Sequence, residues 1–190
     1  MSDLKVLAIS GSLRGASHNT ALLRAARDHS PDGVTVELYG GLAAVPHYNG
    51  DLDDDHHLPA AALDLRTRVH AADGLLIATP EYNHSVPGVL KNALDWASRP
   101  KGASALEHKD IAIIGASTGN FGTARAQLAL RQVLAATHSH VLTGPEVLVF
   151  TAHQRFDETG TLHDPVTIAL LRETLEALRT QILSRRAPVR

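Results

Sequence analysis

Three stretches of this chain are apolar without alternation: Val6-Leu7-Ala8-Ile9, Leu75-Leu76-Ile77-Ala78 and Ile111-Ala112-Ile113-Ile114. A strand with one wet face alternates apolar and polar residues. A strand apolar at every position must be covered on both faces, as in a parallel sheet between helices. This feature restricts the chain to a narrow class of folds. Extended to their natural ends, the strand candidates are Leu4–Ser10, Val34–Leu38, Gly74–Thr79, Asp110–Gly115 and Val141–Phe150. Helical patterns lie between them at Asn19–Ser30, Pro59–Ala72, Pro87–Ala97, Thr123–Thr137 and Pro165–Leu183. In the third, Leu90, Ala93, Leu94 and Ala97 stand at the i, i+3, i+4, i+7 spacing of one helix face.

Alternating strands and helices imply parallel crossovers. Five strands predict a flavodoxin-like three-layer α/β sandwich, with strand order 2-1-3-4-5 and a ligand crevice at the β1/β3 switch point. At 190 residues, the chain is expected to form one domain over 1–190. A chain of that size buries roughly 70% of its unfolded surface and needs no staple. There are 0 cysteines, which excludes a thiol nucleophile, a thiolate metal site and a disulfide framework. That also excludes the low-molecular-weight tyrosine phosphatases, which share the expected topology but need a cysteine. The formal net charge of -2 is no basic footprint, so nucleic acid is not an expected partner. No apolar run approaches the ~20 residues of a membrane span. No signal peptide is read at the start, and the expected location is cytoplasmic.

Three loops carry the chemistry. The first, Ser10-Gly11-Ser12-Leu13-Arg14-Gly15-Ala16-Ser17-His18-Asn19-Thr20, joins two glycines to small hydroxyls, an Arg and a helix start. Those are the parts of a phosphate cradle; a capped helix start with a mobile Arg fits the same residues. The spacing is neither G-x-G-x-x-G, since position 13 is Leu, nor a P-loop. The second loop, Thr79–Pro87, has prolines that forbid a continuous strand or helix, and its backbone can address the edge of a planar heterocycle. The third, Gly115-Ala116-Ser117-Thr118-Gly119-Asn120-Phe121-Gly122, again sets glycines beside small donors. In the expected strand order all three crown one edge of the sheet. A loop with Asp51, Asp53, Asp54, Asp55, His56 and His57 reads as a solvated acidic loop rather than a metal site, and no metal is expected. His138 and His140 read as exposed. Trp96 reads as a core or interface residue, and Lys91 and Asp95 as a pair four apart on one helix.

The sequence resembles the NADPH-dependent FMN reductase family, and within it the bacterial quinone and chromate reductase branch. The resemblance rests on Gly11-Ser12-Leu13-Arg14-x-x-Ser17-x-Asn19, on Thr79-Pro80-Glu81-Tyr82-Asn83-x-Ser85-x-Pro87-Gly88-x-Leu90-Lys91-Asn92-Ala93-x-Asp95-Trp96, and on Gly115-x-Ser117-x-Gly119. It implies that Ser12, Arg14, Ser17, Asn19 and Thr20 hold the FMN phosphate. It implies that Pro80, Glu81, Tyr82 and Asn83 line the isoalloxazine, with Ser117 and Gly119 closing the other side. It further implies NADPH or NADH as co-substrate and a small-molecule electron acceptor such as a quinone, chromate, azo or nitro compound, or flavin. Hydride transfer would follow ping-pong order, with the flavin rather than a protein acid or base as the catalytic group. The family forms dimers and this branch tetramers, so a homodimer or homotetramer is expected, with Arg125 and Glu146 as subunit contacts. Position 84 is His where relatives often carry an aromatic residue. Two rival classes share the fold: a flavodoxin-type electron carrier, and a scaffold that has lost the flavin. Arg14 and the near-neutral charge argue against the carrier, and the intact set of three loops argues against the scaffold.

Overall fold

A computed structural model describes residues 3–54 and 56–186. The strands are β1 (Leu4–Ser10), β2 (Val34–Leu38), β3 (Gly74–Ala78), β4 (Asp110–Ala116), β5 (His140–Val141) and β6 (Val147–Val149). The α-helices are α1 (His18–Asp28), α2 (Ala60–Ala71), α3 (Gly88–Ala97), α4 (Ala124–Ala136) and α5 (Pro165–Arg186). All the strand pairs are parallel, and the order is β2-β1-β3-β4-β5, with β6 also paired to β4.

The unbroken apolar runs divide their side chains between two cores. Val6, Ala8, Leu76, Ala78, Ala112 and Ile114 pack toward α1 and α5. Leu7, Ile9, Leu75, Ile77, Ile111 and Ile113 pack with Leu65, Leu90, Trp96 and Leu130 from α2, α3 and α4. Trp96 is fully buried, and its indole N–H donates to the Pro46 carbonyl at 2.8 Å, which makes it a core residue. Lys91 and Asp95 do pair, at 2.6 Å.

One expectation needs correction. Val141–Phe150 is not one strand. His140–Val141 pairs with the start of β4, the Leu142 N–H still donates to the Ile111 carbonyl at 2.8 Å, and Val147–Val149 pairs with the end of β4, while residues 143–146 leave the ladder. Pro145 has no N–H to donate, and Gly144 weakens a strand interior, so the pairing is interrupted there. The two pieces share one position beside β4, so the five-position order holds although the fifth position is broken.

Candidate functional site

The first three central strands end level, and backbone bonds carry the alignment one residue further. Gly11 N–H donates to the Ala78 carbonyl at 2.8 Å, and Thr79 N–H to the Ile114 carbonyl at 3.0 Å. Gly11 is pressed between neighbours: a Cβ there would sit 3.1 Å from both Leu90 and Pro80 and 3.3 Å from the Ala78 carbonyl. These contacts bring the three loops together on one edge. A cavity of about 130 Å³ is lined by Ser12, Arg14, Ser17, Asn19, Pro80, Tyr82 and Ser117, together with His18, Glu81, Ala116 and Thr118. A second hollow of about 320 Å³ adjoins it through Glu81 and Ser117 and adds Asn83, His84, Gly119 and Phe121.

The first loop ends in a capped helix. Ser17 Oγ accepts from Thr20 N–H at 3.3 Å, and its carbonyl accepts from Ala21 N–H at 2.9 Å. The next two backbone N–H groups, His18 and Asn19, find no acceptor among the described residues. The Arg14 guanidinium is exposed and likewise has no partner among the described residues. Two free amides at a helix N-terminus beside an unneutralised guanidinium form a site for an anion.

Asn19 and Thr20 depart from their expected roles. The Asn19 amide is buried and engaged across the fold: Nδ2 donates to the Ala116 carbonyl at 2.8 Å, and Oδ1 accepts from Ala116 N–H at 2.9 Å. Only its backbone N–H faces ligand duty. The Thr20 hydroxyl bonds Ser10 Oγ at 2.8 Å and lines a separate crevice of about 220 Å³ with Leu13, Leu23 and Tyr39. Thr20 therefore supports the loop from behind rather than lining the cradle.

The second loop is a tight hairpin. Tyr82 and Ser85 exchange two backbone bonds, both 3.1 Å. Asn83 and His84 between them have φ of 51° and 64°. Positive φ at both central residues is the signature of a type I′ turn. It places two non-glycine residues in a sparsely populated region, a strain that functional sites commonly hold. The backbone N–H groups of Asn83 and His84 have no acceptor among the described residues.

Glu81 lines both hollows, as expected, but its carboxylate is engaged at the start of α4, where Oε2 accepts from the N–H groups of Arg125 at 3.0 Å and Ala126 at 3.2 Å. Oε1 pairs with the Arg125 guanidinium at 3.1 Å, and the Glu81 side chain is only 10% exposed. A free helix N-terminus attracts a carboxylate through its unpaired amides and its dipole. Arg125, expected at a subunit contact, is thus paired within the chain, and its guanidinium stacks 3.9 Å from the centre of the Phe121 ring. Glu146 is exposed, with no ion-pair partner among the described residues. Glu81→Ala removes a helix cap and is expected to lower stability by about 1–2 kcal/mol in urea unfolding. Glu81→Gln, which keeps an acceptor for the α4 amides, should restore most of it. Equal losses for the two variants would show that the ion pair and not the cap is what matters.

The third loop is held by close packing. A Cβ on Gly115 would lie 2.0 Å from Thr123 Oγ1 and 2.7 Å from the Thr79 carbonyl, so a side chain there is incompatible with the second and third loops as placed. Ser117 Oγ accepts from Gly119 N–H at 3.1 Å. His18, Thr118 and Phe121 line the site without having been singled out from sequence. The position of His18, just after a cap residue in a phosphate-type loop, was the available signal.

The remaining candidates lie elsewhere. Asp53 pairs with Arg66 at 2.6 Å, and Asp54 accepts from His56 and His57 N–H groups at 2.8 Å each; Asp55 lies outside the described residues. His138 is exposed, but His140 is half-buried and stacks on His108 at 5.4 Å. A larger cavity, about 580 Å³, lies between α3 and the end of α4, beside Lys91, Arg99 and His138. It lies away from the edge where the loops after β1, β3 and β4 meet, the switch point at which open α/β sheets bind ligands, so the chemistry is assigned to the three loops despite their smaller volume.

Comparison with known proteins gives concordant findings. The profile of the NADPH-dependent FMN reductase family matches residues 4–154. An NAD(P)H-dependent FMN reductase of Pseudomonas aeruginosa is 47% identical over 93% of this chain and 94% of its own. A 2-hydroxy-1,4-benzoquinone reductase of a Burkholderia species is 39% identical over 96% of this chain and 98% of its own. Among solved structures, a flavoenzyme NAD(P)H:(acceptor) oxidoreductase of Paracoccus denitrificans superimposes with a TM-score of 0.85 at 33% identity. That match covers 95% of this chain and 98% of the other.

Proposed function

The chain belongs to the NADPH-dependent FMN reductase family, and from that premise we propose how its three loops act as an NAD(P)H-dependent FMN-linked reductase of quinone-type acceptors. The observation that carries the reading is the set of free donors meeting in one place: the His18 and Asn19 amides and Arg14 at the small cavity, and the Asn83 and His84 amides at the adjoining hollow. The first set suits a phosphate dianion. The second suits the polar edge of a planar ring. The residues therefore fit FMN.

Bound there, FMN supplies two-electron chemistry, taking hydride from NAD(P)H and delivering the electron pair to an acceptor. The protein's part is binding and electrostatics. Ser12, Arg14 and Ser17, with the α1 amides, hold the phosphate. Pro80 and Tyr82 wall the ring, and Ser117 and Gly119 close the opposite side. The Asn83 and His84 amides donate toward the ring edge, where preorganised dipoles favour added negative charge. Glu81 lines the site while its carboxylate fixes the hairpin to α4. Exposed Tyr82 at the small cavity and exposed Phe121 at the hollow leave the outer side of the site open to solvent. One open face serves both substrates in turn, which is ping-pong order.

Residues 1–190 are read as one FMN-binding domain, and the assembly as a homodimer or homotetramer; exposed Phe121, Leu128 and Phe150 support the latter, which light scattering tests. Among the described residues no helix is long and apolar enough to cross a membrane. A cytoplasmic location is proposed on the family reading.

The expected result with FMN-loaded protein is anaerobic bleaching of the flavin absorbance by NADPH or NADH, and recovery of the colour on adding benzoquinone. Bound FMN that neither nicotinamide bleaches would contradict the enzyme reading and favour the electron carrier.

A further inference from the structure

His18 is the first residue of α1, and its side chain is half-buried at the wall of the cavity that holds Arg14 and Ser17. Its imidazole leans on buried Phe156, with ring centres 5.3 Å apart and planes at 37°. That contact fixes the ring beside the cavity. The charged groups facing it are Arg14 from the first loop and His153 from the short helical turn after β6. Neither meets a carboxylate among the described residues: Arg14 is unpaired, and His153 touches only Gln154, at 3.4 Å. Glu81, the one acid lining the cavity, is engaged with α4. Arg14 and His18 thus stand together at a helix N-terminus, with His153 near enough to act on His18, and none of the three is in an ion pair among the described residues. Burial first, and then Arg14 and His153, pull the His18 pKa below its usual value. An anion placed among them reverses the charge contribution, because it favours the protonated imidazole.

We propose that His18 is a proton-dependent contact for the cofactor phosphate, adding a second cationic donor beside Arg14 when FMN is bound. The proposal rests on the FMN reading above. Its sign follows from linkage. Binding raises the imidazole pKa, so the extra affinity is fully present below the free-state pKa. It is lost as pH rises through the bound-state pKa. The phosphate's own second ionisation, near about pH 6, works in the opposite direction but affects wild type and variants alike.

The test is FMN affinity by fluorescence quenching, from about pH 5.5 to about pH 8.5, for wild type, His18→Phe and His18→Gln. Phe keeps a ring on Phe156; Gln keeps a neutral donor. Riboflavin, which lacks the phosphate, is titrated in parallel. We expect the variant-to-wild-type ratio of FMN dissociation constants to be near one at the alkaline end. It should rise to about fivefold toward the acid end. The riboflavin ratio should stay flat. An FMN ratio that does not change with pH, or a riboflavin ratio that changes in step with it, overturns the proposal. A wild-type protein that takes up neither flavin overturns the cofactor reading itself. Should both variants fail to fold, the His18 ring resonance of the wild type is followed by NMR with inorganic phosphate added. An upward pKa shift supports the proposal, and an unmoved pKa refutes it.

Discussion

Asn19→Ala is expected to lower the free energy of unfolding by about 3 kcal/mol and to loosen FMN binding with it. The Asn19 side chain is 4% exposed and pairs with both the N–H and the carbonyl of Ala116. Removing it leaves a buried donor and a buried acceptor unpaired, each costing about 1–3 kcal/mol, together with a small void. The bond also ties the start of α1 to the end of β4, and so sets the first loop against the third. Asn19→Asp is expected to be no better, because a carboxylate offers nothing to the Ala116 carbonyl. Urea unfolding reads the effect as a lower midpoint at unchanged slope. A loss under about 0.5 kcal/mol, the range of an ordinary surface change, would show that the two loops are held by other means.

Arg14→Ala is expected to raise the FMN dissociation constant about 100-fold while the rate of hydride transfer at saturating FMN changes less than about twofold. A guanidinium makes two charge-assisted bonds to a phosphate, each worth roughly 1.5–3 kcal/mol, and the exposure of Arg14 sets the sum at the lower end. Its contribution belongs to holding the cofactor and not to the reacting ring. Arg14→Lys should recover only part of the affinity, since an ammonium keeps the charge and loses the fork. A large fall in the saturated rate with little change in affinity would place Arg14 at the ring instead.

Local pattern carried the fold because the sheet is buried on both faces. Leu4–Ser10 and Val34–Leu38 match the observed strands residue for residue, and each helix end lies within a few residues of its expected place. The failure at Val141–Phe150 is also local: Thr143-Gly144-Pro145 is a breaker inside an otherwise apolar run, and the apolar residues masked it. The three loops were legible through their glycines and small donors. The duties of single side chains were not. Glu81 turned to the free amides of a helix 44 positions away, and Asn19 to a peptide 97 positions away. Thr20 took Ser10, its neighbour across the same loop. Spacing along the chain shows which groups reach the site. Competition from other unpaired backbone groups decides which of them stay free for a ligand.

The central claim is a place: FMN lies across the loops that follow β1, β3 and β4. A structure of the FMN complex tests it most directly. The account predicts the phosphate against Arg14, Ser17 and the His18 and Asn19 amides, with the ring between the Pro80–Asn83 hairpin and Ser117–Gly119. Flavin found instead in the larger cavity between α3 and α4, with these loops untouched, would contradict it.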